Sequence, residues 1–322
     1  MPSPTITGRV DYRLGITHSD RVKVQHIQTL VAIADAGSIR GAADNLGKSQ
    51  PALTKALRQA EDDLGVSLFQ RSSRGVILTA MGERVLARAR TISSEIARLD
   101  EEVGQLRGEQ VGAVYVSLSP LAAFKIMPQA LRQFRKTHPG IEVHLSSGLY
   151  PGAIKPLREG KIDIAIGPAP PVGMTREIMI EPLIDTPIIV ITSTLSPYAR
   201  AKSLAELTEA EWIMIGSPMG PGDIFRKPFV DHGLSPPRAM TTSESFYGAL
   251  SLVENLGAVC TFPLRLLDDV RKGWRIALIP IREKIDPLQI SLMLRAGHPL
   301  TPAAEALANC IRRRAVTLTR ER

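Results

Sequence analysis

The chain has 322 residues, of which 44% are hydrophobic, and this length and composition predict a globular protein of two or three packed units. Its formal net charge is +8, but residues 1–110 carry 15 basic and 13 acidic side chains, so the excess is spread along the chain and is weak evidence for a nucleic-acid partner. No run approaches the roughly 18 apolar residues of a membrane-spanning helix, and the N-terminus lacks the apolar core of a signal peptide, which argues against a membrane or secreted protein.

The two cysteines also argue against a secreted protein. Cys260 and Cys310 lie far apart and lack the spacing of metal ligands, which predicts buried, reduced thiols in a cytoplasmic protein without a bound metal ion or cofactor. A disulfide that acts as a redox switch is the alternative.

The first predicted elements are an extension and a helix. Residues 1–22 are polar and aperiodic, and we expect them to be disordered. Between Val24 and Ala36, apolar residues repeat at helical spacing, which predicts a helix that packs beneath the stretch that follows.

Residues 38–65 predict a helix, a tight turn and a second helix. Ser38 is a candidate N-cap of the first helix, and Gly47 ends it in a position that favours a left-handed residue. Ser49 is a candidate cap of the second helix, with Pro51 in its first turn, where the missing N–H has no cost.

The exposed face of the second helix carries Gln50, Thr54, Lys55 and Arg58 and has no carboxylate before Glu61. A glutamine can pair with adenine, a threonine can bond phosphate or touch a thymine methyl group, and lysine and arginine can neutralise phosphates. An ordinary solvated helix face would show the same polarity.

A small hairpin follows over residues 66–79, where two short apolar runs flank a polar turn. Arg71 and Arg74 lie near its tip, a position that suits contact with phosphates or with a minor groove. Solvated hairpin arginines are the alternative.

Apolar residues then alternate in steps of four and three along a helix over residues 80–106. This narrow seam favours pairing with the same helix of a second copy over packing within the chain. Its members are Val85, Ala89, Ile92, Ile96, Leu99, Val103 and Leu106.

After Gly108 the pattern changes to short apolar strands that alternate with helices, which predicts an α/β region. We place strands at 114–118, 141–145, 162–167, 187–192, 212–216, 258–262 and 288–294. Ligands bind at the carboxyl ends of parallel strands, and Ser119 stands at such an end, where it could hold an anion. A plain turn residue is the alternative reading of Ser119.

These features together resemble the LysR-type transcriptional regulators. The match extends from about Lys23 to about Arg314, with Ala60 as a departure where the family usually has leucine. The residues that carry it are Ser38, Ala42, Ala43, Leu46, Ser49, Gln50, Pro51, Ala52, Leu53, Thr54, Glu61, Leu64, Gly65, Leu68, Phe69, Arg71, Arg74, Leu78, Thr79 and Gly82.

The resemblance implies an α+β multidomain protein. It would have a winged helix-turn-helix over residues 23–79, a coiled-coil linker helix over 80–107 and a two-lobed α/β effector domain, similar to periplasmic binding proteins, over 111–322. Lobe I would comprise 111–185 and 283–322, and lobe II 186–282.

The resemblance also implies partners and site residues. The protein would bind double-stranded promoter DNA as a homodimer or homotetramer, contact RNA polymerase, and sense a small organic anion, with a similarity to regulators of aromatic acid or sulfonate breakdown. The DNA-binding residues would be Ser38, Ser49, Gln50, Pro51, Thr54, Lys55, Arg58, Arg71 and Arg74. The effector-binding residues would be Ser119, Pro120, Leu149, Tyr150, Gly167, Ser217, Pro218, Phe246, Thr261 and Phe262.

Two other functions remain open at this point. Residues 111–322 could form a solute-binding or enzymatic module with a minor N-terminal appendage, although no catalytic motif is present and we do not expect an enzyme. An architectural DNA-binding protein would bind all sequences alike, whereas a specific regulator should prefer its operator by at least ~10³.

Overall fold

The computed structural model describes residues 23–72, 75–171, 176–216, 220, 224–237 and 239–321, without the side chains of 71, 72, 239 and 240. It divides into two compact units, Met1–Ile96 and Ala97–Arg322. The predicted extension over residues 1–22, together with Arg74, Ser217 and Pro218, lies outside the described residues.

Helices and strands are numbered in chain order. The helices are α1 Val24–Ala36, α2 Ile39–Asn45, α3 Gln50–Leu64, α4 Ala80–Leu106, α5 Met127–Phe134, α6 Ile154–Arg158, α7 Arg226–Asp231, α8 Phe246–Leu256, α9 Leu267–Arg271 and α10 Pro302–Arg320. The strands are β1 Phe69–Ser72, β2 Gly75–Leu78, β3 Ala113–Leu118, β4 Glu142–Ser147, β5 Ile164–Pro168, β6 Ile178–Thr186, β7 Ile188–Ser193, β8 Trp212–Ile215, β9 Ala239–Ser243, β10 Cys260–Pro263, β11 Ile276–Ile279 and β12 Leu288–Arg295.

The N-terminal unit is a three-helix domain with a hairpin. Helices α1, α2 and α3 pack around a small core that includes Ile33, Ala42 and Leu53, and β1 pairs with β2 in antiparallel register. Gly82, in the first turn of α4, lies so close to the chain before β1 that a Cβ atom there would be 2.0 Å from the carbonyl oxygen of Leu68. Only glycine fits this contact, which fixes the start of α4 against the hairpin.

Glu61 joins α3 to the hairpin. Its Oε1 atom accepts the backbone N–H groups of Leu68 at 2.7 Å and Phe69 at 3.2 Å. These two donors lie before and at the start of β1, so the carboxylate satisfies backbone groups that no helix or strand partner reaches. The hairpin is therefore positioned by α3 itself.

We expect Glu61→Ala to lower the free energy of unfolding of the N-terminal unit by about 2 kcal/mol, because two partly buried N–H donors lose their acceptor. Glu61→Gln keeps one acceptor oxygen and should lose less. Urea denaturation followed by far-ultraviolet circular dichroism measures both variants. Equal losses for the two variants would show that the carboxylate charge, and not the acceptor, stabilises the hairpin.

The predicted pairing seam of α4 is divided. Val85 packs against the core of the N-terminal unit, and Ala89 is only 3% exposed. Ile92, Leu99, Val103 and Leu106 are exposed. An apolar surface therefore remains open along the C-terminal half of this helix.

The C-terminal unit has two lobes, each built on a β-sheet. Lobe I holds a five-stranded sheet of order β4-β3-β5-β12-β6, in which β4, β3 and β5 are parallel and β12 runs antiparallel to both neighbours. Lobe II holds the antiparallel sheet β10-β7-β11 and the parallel pair β8-β9. The chain crosses between the lobes at Pro187, between β6 and β7, and again between β11 and β12.

The last turns of α4 are anchored to lobe I. The Arg98 guanidinium contacts the Asp163 carboxylate at 2.5 Å and the carbonyl oxygen of Gly160 at 3.2 Å. Asp163 in turn accepts the N–H of Tyr115 in β3 at 2.8 Å. Burial, and secondly the nearby charge of Asp163, raise the pKa of Glu101, one turn further along α4.

All seven strands that the sequence predicts in this unit are present, and three further strands, β6, β9 and β11, were not predicted. Among the described helices, none combines the length and the apolar content needed to cross a membrane.

Candidate nucleic-acid interface and ligand cleft

Helix α3 presents a polar face because its other face is fixed in the core. Ser49 caps the helix, its hydroxyl accepting the N–H of Ala52 at 3.4 Å, and Leu53, Leu57 and Ala60 are buried. The small Ala60 side chain is thus accommodated in the core. The opposite face is exposed at four of the predicted DNA-binding positions and half-buried at a fifth: Gln50, Pro51, Lys55, Arg58 and Thr54.

These five residues line one shallow open groove. Thr54 donates its hydroxyl to the carbonyl oxygen of Gln50 at 2.9 Å, which leaves the hydroxyl oxygen able to accept another bond. Within the described chain, Lys55 and Arg58 form no ion pair, whereas Asp63, at the other end of the helix, bonds Gln59. The groove is therefore cationic and has free donors.

Among the other predicted DNA-binding residues, Ser38 caps a helix, and the side chains of Arg71 and Arg74 are not described by the structure. Ser38 caps α2 by accepting the N–H of Gly41 at 3.1 Å, so its contribution is to the fold of the helix pair. Arg71 belongs to β1, but its side chain, like the whole of Arg74, is outside the described part.

A cavity of about 350 Å³ lies between the two lobes. Its lobe I wall consists of strand ends and the loop and helix after β4, and its lobe II wall consists of the residues after β8 and β9. The lining residues are Ser117, Pro120, Ser146, Ser147, Gly148, Leu149, Gly152, Ala153, Pro156, Ile162, Ile215, Gly216, Glu244 and Phe246.

A smaller apolar cavity of about 70 Å³ adjoins it. Pro120, Leu149, Ile215 and Phe246 line both cavities, so the two form one cleft with a polar chamber and an apolar slot. The slot is also lined by Ser119, Leu121, Pro168, Ile188, Ile224, Thr261, Phe262, Pro263, Leu288 and Ile290.

Six of the predicted effector-binding residues therefore line this cleft: Ser119, Pro120, Leu149, Phe246, Thr261 and Phe262. Ser119 is 2% exposed, and its hydroxyl accepts the N–H of Ala122. Gly167 leaves space beside it, since a Cβ atom there would lie 3.2 Å from the Ser119 Cβ. Tyr150 packs instead against the cluster around Ile154.

The sequence prediction missed the polar side chains of the chamber. Ser117, Ser146, Ser147 and Glu244 all line it, and none was a candidate. The first three follow from strands β3 and β4, whose ends meet at one edge of the sheet because the strands are parallel. Extending the predicted strand 141–145 by two residues would have brought Ser146 and Ser147 to that edge.

The charge of the cleft is distinctive. Neither cavity has a lysine, an arginine or a histidine in its described lining, and Glu244 is its single charged residue. The Phe246 ring stacks on Phe262 at 5.7 Å and also contacts Phe124 at 5.9 Å. The expectation of an anionic effector therefore finds no matching cation in this lining.

The cysteines lie inside the C-terminal unit and are both free and buried. Burial raises the pKa of Cys260 to about 12, so this thiol stays protonated at neutral pH and is a poor nucleophile. Over the described part of the chain, no three His, Cys, Asp or Glu side chains come together as metal ligands would.

A helix-turn-helix with a cationic exposed face, followed by a two-lobed domain with a cleft, defines the class of ligand-responsive DNA-binding regulators. The family follows from two profile matches. "Bacterial regulatory helix-turn-helix protein, lysR family" matches residues 24–83, and "LysR substrate binding domain" matches residues 107–316. The chain belongs to the LysR family of transcriptional regulators, and the alternative of a solute-binding or enzymatic module is not favoured.

Individual relatives agree with this assignment. The HTH-type transcriptional regulator TdcA of Escherichia coli K12 is 25% identical over 88% of this chain and 91% of its own length. The RuBisCO operon transcriptional regulator of Allochromatium vinosum is 27% identical over 88% of this chain and 94% of its own.

Solved structures share the fold. CbnR, a LysR family transcriptional regulator whose full-length form has also been crystallised with its target DNA, has a TM-score of 0.67 and 24% identity. The alignment covers 91% of this chain and 99% of that one. A full-length OxyR variant from Pseudomonas aeruginosa has a TM-score of 0.65 and 22% identity, over 90% of this chain and 95% of its own.

Proposed function

We propose that this regulator binds an imperfect palindrome of promoter DNA as a dimer or a dimer of dimers, and that a small organic metabolite in the interlobe cleft controls it. The observation that supports this most directly is the exposed face of α3, where Gln50, Thr54, Lys55 and Arg58 line one groove. Within the described chain, neither Lys55 nor Arg58 forms an ion pair. Two such helices in a symmetric assembly would contact half-sites separated by whole turns of the duplex, roughly 34 Å each.

Each residue of the groove has a chemical role in this proposal. Gln50 contacts a base edge, because an amide can both donate and accept toward adenine. Lys55 and Arg58 neutralise phosphates. Thr54 either turns its hydroxyl from the Gln50 carbonyl to donate to a phosphate or touches a thymine methyl group. Arg71 and Arg74 would reach a minor groove from the hairpin. Ser38, Ser49 and Pro51 shape the helix ends that present these side chains.

The proposal includes the following domain organisation. The winged helix-turn-helix spans 23–79, the linker helix 80–107 and the effector domain 111–322, with lobe I over 111–185 and 283–322 and lobe II over 186–282. A ligand that binds the closed arrangement of the lobes more tightly would shift the population toward it. The resulting movement would change how the two DNA-binding units are spaced, and so the contact with RNA polymerase.

The test is a selection of binding sites from random DNA, followed by measurement of affinity with wild-type protein and two variants. Gln50→Ala should relax the preference at a single base position, at a cost of about 1–3 kcal/mol for the correct base. Lys55→Ala should weaken binding to all sequences and reduce the slope of log affinity against log salt concentration by about one.

Lys272→Ala is the matched control, because it removes the same charge from an exposed position in the C-terminal unit. It should leave both quantities unchanged. Selection that enriches no palindrome would overturn the proposed function. Equal losses on all sequences for Gln50→Ala and Lys55→Ala would overturn the assignment of base and phosphate roles.

A further inference from the structure

The chemistry of the cleft restricts its ligand. Among its described lining residues, Glu244 carries the only charge, and the polar chamber is otherwise lined by hydroxyls, glycines and apolar groups. An organic anion that enters a cleft loses hydration and normally needs a cation or several free N–H donors in return. The described part of the lining offers no cation.

Two lysines on neighbouring elements have carboxylate partners outside the cleft lining. Lys155, on α6, is 84% exposed and lies 3.9 Å from Glu159. Lys125 is paired with Asp269 at 2.5 Å.

Residues 217–219 and 221–223, which flank the cleft in sequence, include Asp223 and no basic residue.

Helix N-termini at the cleft are also largely satisfied. Ser119 takes the N–H of Ala122 at 3.4 Å, and Ser245 takes the N–H of Gly248 at 3.1 Å. Pro120 has no N–H to offer. The helix ends that could have received an anion therefore have fewer free donors than uncapped helices.

The same groups favour a ligand that donates hydrogen bonds. The hydroxyls of Ser117 and Ser146 donate to the carbonyl oxygens of Gly148 and Val116, which leaves their oxygens as acceptors toward the chamber. A carboxylate such as Glu244 has about four acceptor sites and can take a further donor beside the interactions it already makes. In the adjoining slot, Leu149 and the stacked Phe246 and Phe262 rings fit a ring or a short alkyl chain.

We infer that the effector of this cleft is an uncharged or positively charged molecule, with hydroxyl, amide or amine donors at one end and a small apolar group at the other. This inference rests on the proposed function, because it specifies the ligand of the same cleft. It replaces the organic anion that the sequence resemblance implies.

Three probes that share one ring and have closely similar side chains test the preference for uncharged or positively charged ligands, which we call the charge rule. They are 2-phenylethanol, the 2-phenylethylammonium ion and phenylacetate, and the full-length chain is used. Calorimetry and thermal unfolding should show binding of the alcohol and the ammonium ion at least about fivefold tighter than binding of phenylacetate, the scale of one partly exposed charge contact. Glu244→Gln should weaken binding of the ammonium ion by a similar factor and leave the affinity for the alcohol unchanged. Glu209→Gln, an exposed glutamate outside the lining, should change neither.

Phenylacetate binding more tightly than both other probes would overturn the inference, as would a failure of all three to bind. The same would follow if Glu244→Gln and Glu209→Gln had equal effects. These results are separable from failure of the proposed function, because the selection of DNA sites does not depend on any probe. A selected palindrome together with tight phenylacetate binding would keep the regulator and reject the charge rule.

Discussion

Leu99→Lys is expected to convert the assembled protein into monomers and to lower its affinity for a two-half-site operator by roughly 10²–10⁴. The physical reason is the exposed seam of α4. Leu99 is 59% exposed and Leu106 is 72% exposed, and both belong to an apolar stripe with the spacing of a coiled coil. A lysine in the middle of the paired stripe would place a charge in an apolar contact.

The position of Leu99 makes this change selective for assembly. Val85 and Ala89, at the start of the same stripe, are covered within the N-terminal unit, so their replacement would damage that unit as well. Leu99 lies in the open half of the stripe. We therefore expect Leu99→Lys to leave the N-terminal unit folded and each single half-site contact intact.

Light scattering after size-exclusion chromatography measures the assembly, and fluorescence anisotropy with one-half-site and two-half-site duplexes measures the DNA affinity. Ala97→Lys is the matched control: it adds the same charge to an exposed position of α4 that is not on the stripe. If Leu99→Lys remained a dimer while binding both duplexes like the control, the seam would not be the pairing surface.

The sequence predicted best those elements whose signals are local. Ser38 and Ser49 cap the two helices as expected, and Gly65 ends α3 with a φ angle of +69°, a conformation that glycine adopts freely. Caps and helical periodicity depend on a few neighbouring residues, so they can be recognised without knowledge of the tertiary structure.

The missed strands depend on distant partners. β6 contains Pro182 and alternates irregularly, and it is a strand because it pairs with β12 more than 100 residues later, with a register shift at Ile290 and Ser291. β9 has the polar sequence AMTTS and pairs with β8. β11 has four residues and pairs with β7. Such pairings override weak local propensity.

The ligand cleft shows the same dependence on distant partners. Its apolar slot was predicted because Ser119, Thr261 and Phe262 follow or end recognisable strands. Ser117 lies inside β3, and a strand sequence does not tell which face or end will border a cleft formed by another lobe. Glu244 follows β9, so missing that strand also concealed a charged residue of the lining.

Asp163→Ala is expected to lower the free energy of unfolding of the C-terminal unit by about 3 kcal/mol. The Asp163 side chain is 8% exposed and its partner Arg98 is 16% exposed, so the substitution leaves a mostly buried guanidinium without its carboxylate. The N–H of Tyr115 loses its acceptor at the same time. Urea denaturation followed by tryptophan fluorescence isolates this unit, because both tryptophans, Trp212 and Trp274, belong to it.

Two controls separate the anchor from a general effect of losing a carboxylate. Asp185→Ala removes an exposed carboxylate of the same unit, whose side chain contacts Gln289 at 3.4 Å, and should change the stability by less than about 0.5 kcal/mol. Arg98→Ala combined with Asp163→Ala should cost less than the sum of the single changes, since the double variant buries neither charge alone.

Because α4 runs without a break from the DNA-binding unit into this anchor, Asp163→Ala should also weaken the effect of a bound ligand on DNA affinity. Equal destabilisation by Asp163→Ala and Asp185→Ala would mean that the buried contact does not hold α4 to lobe I.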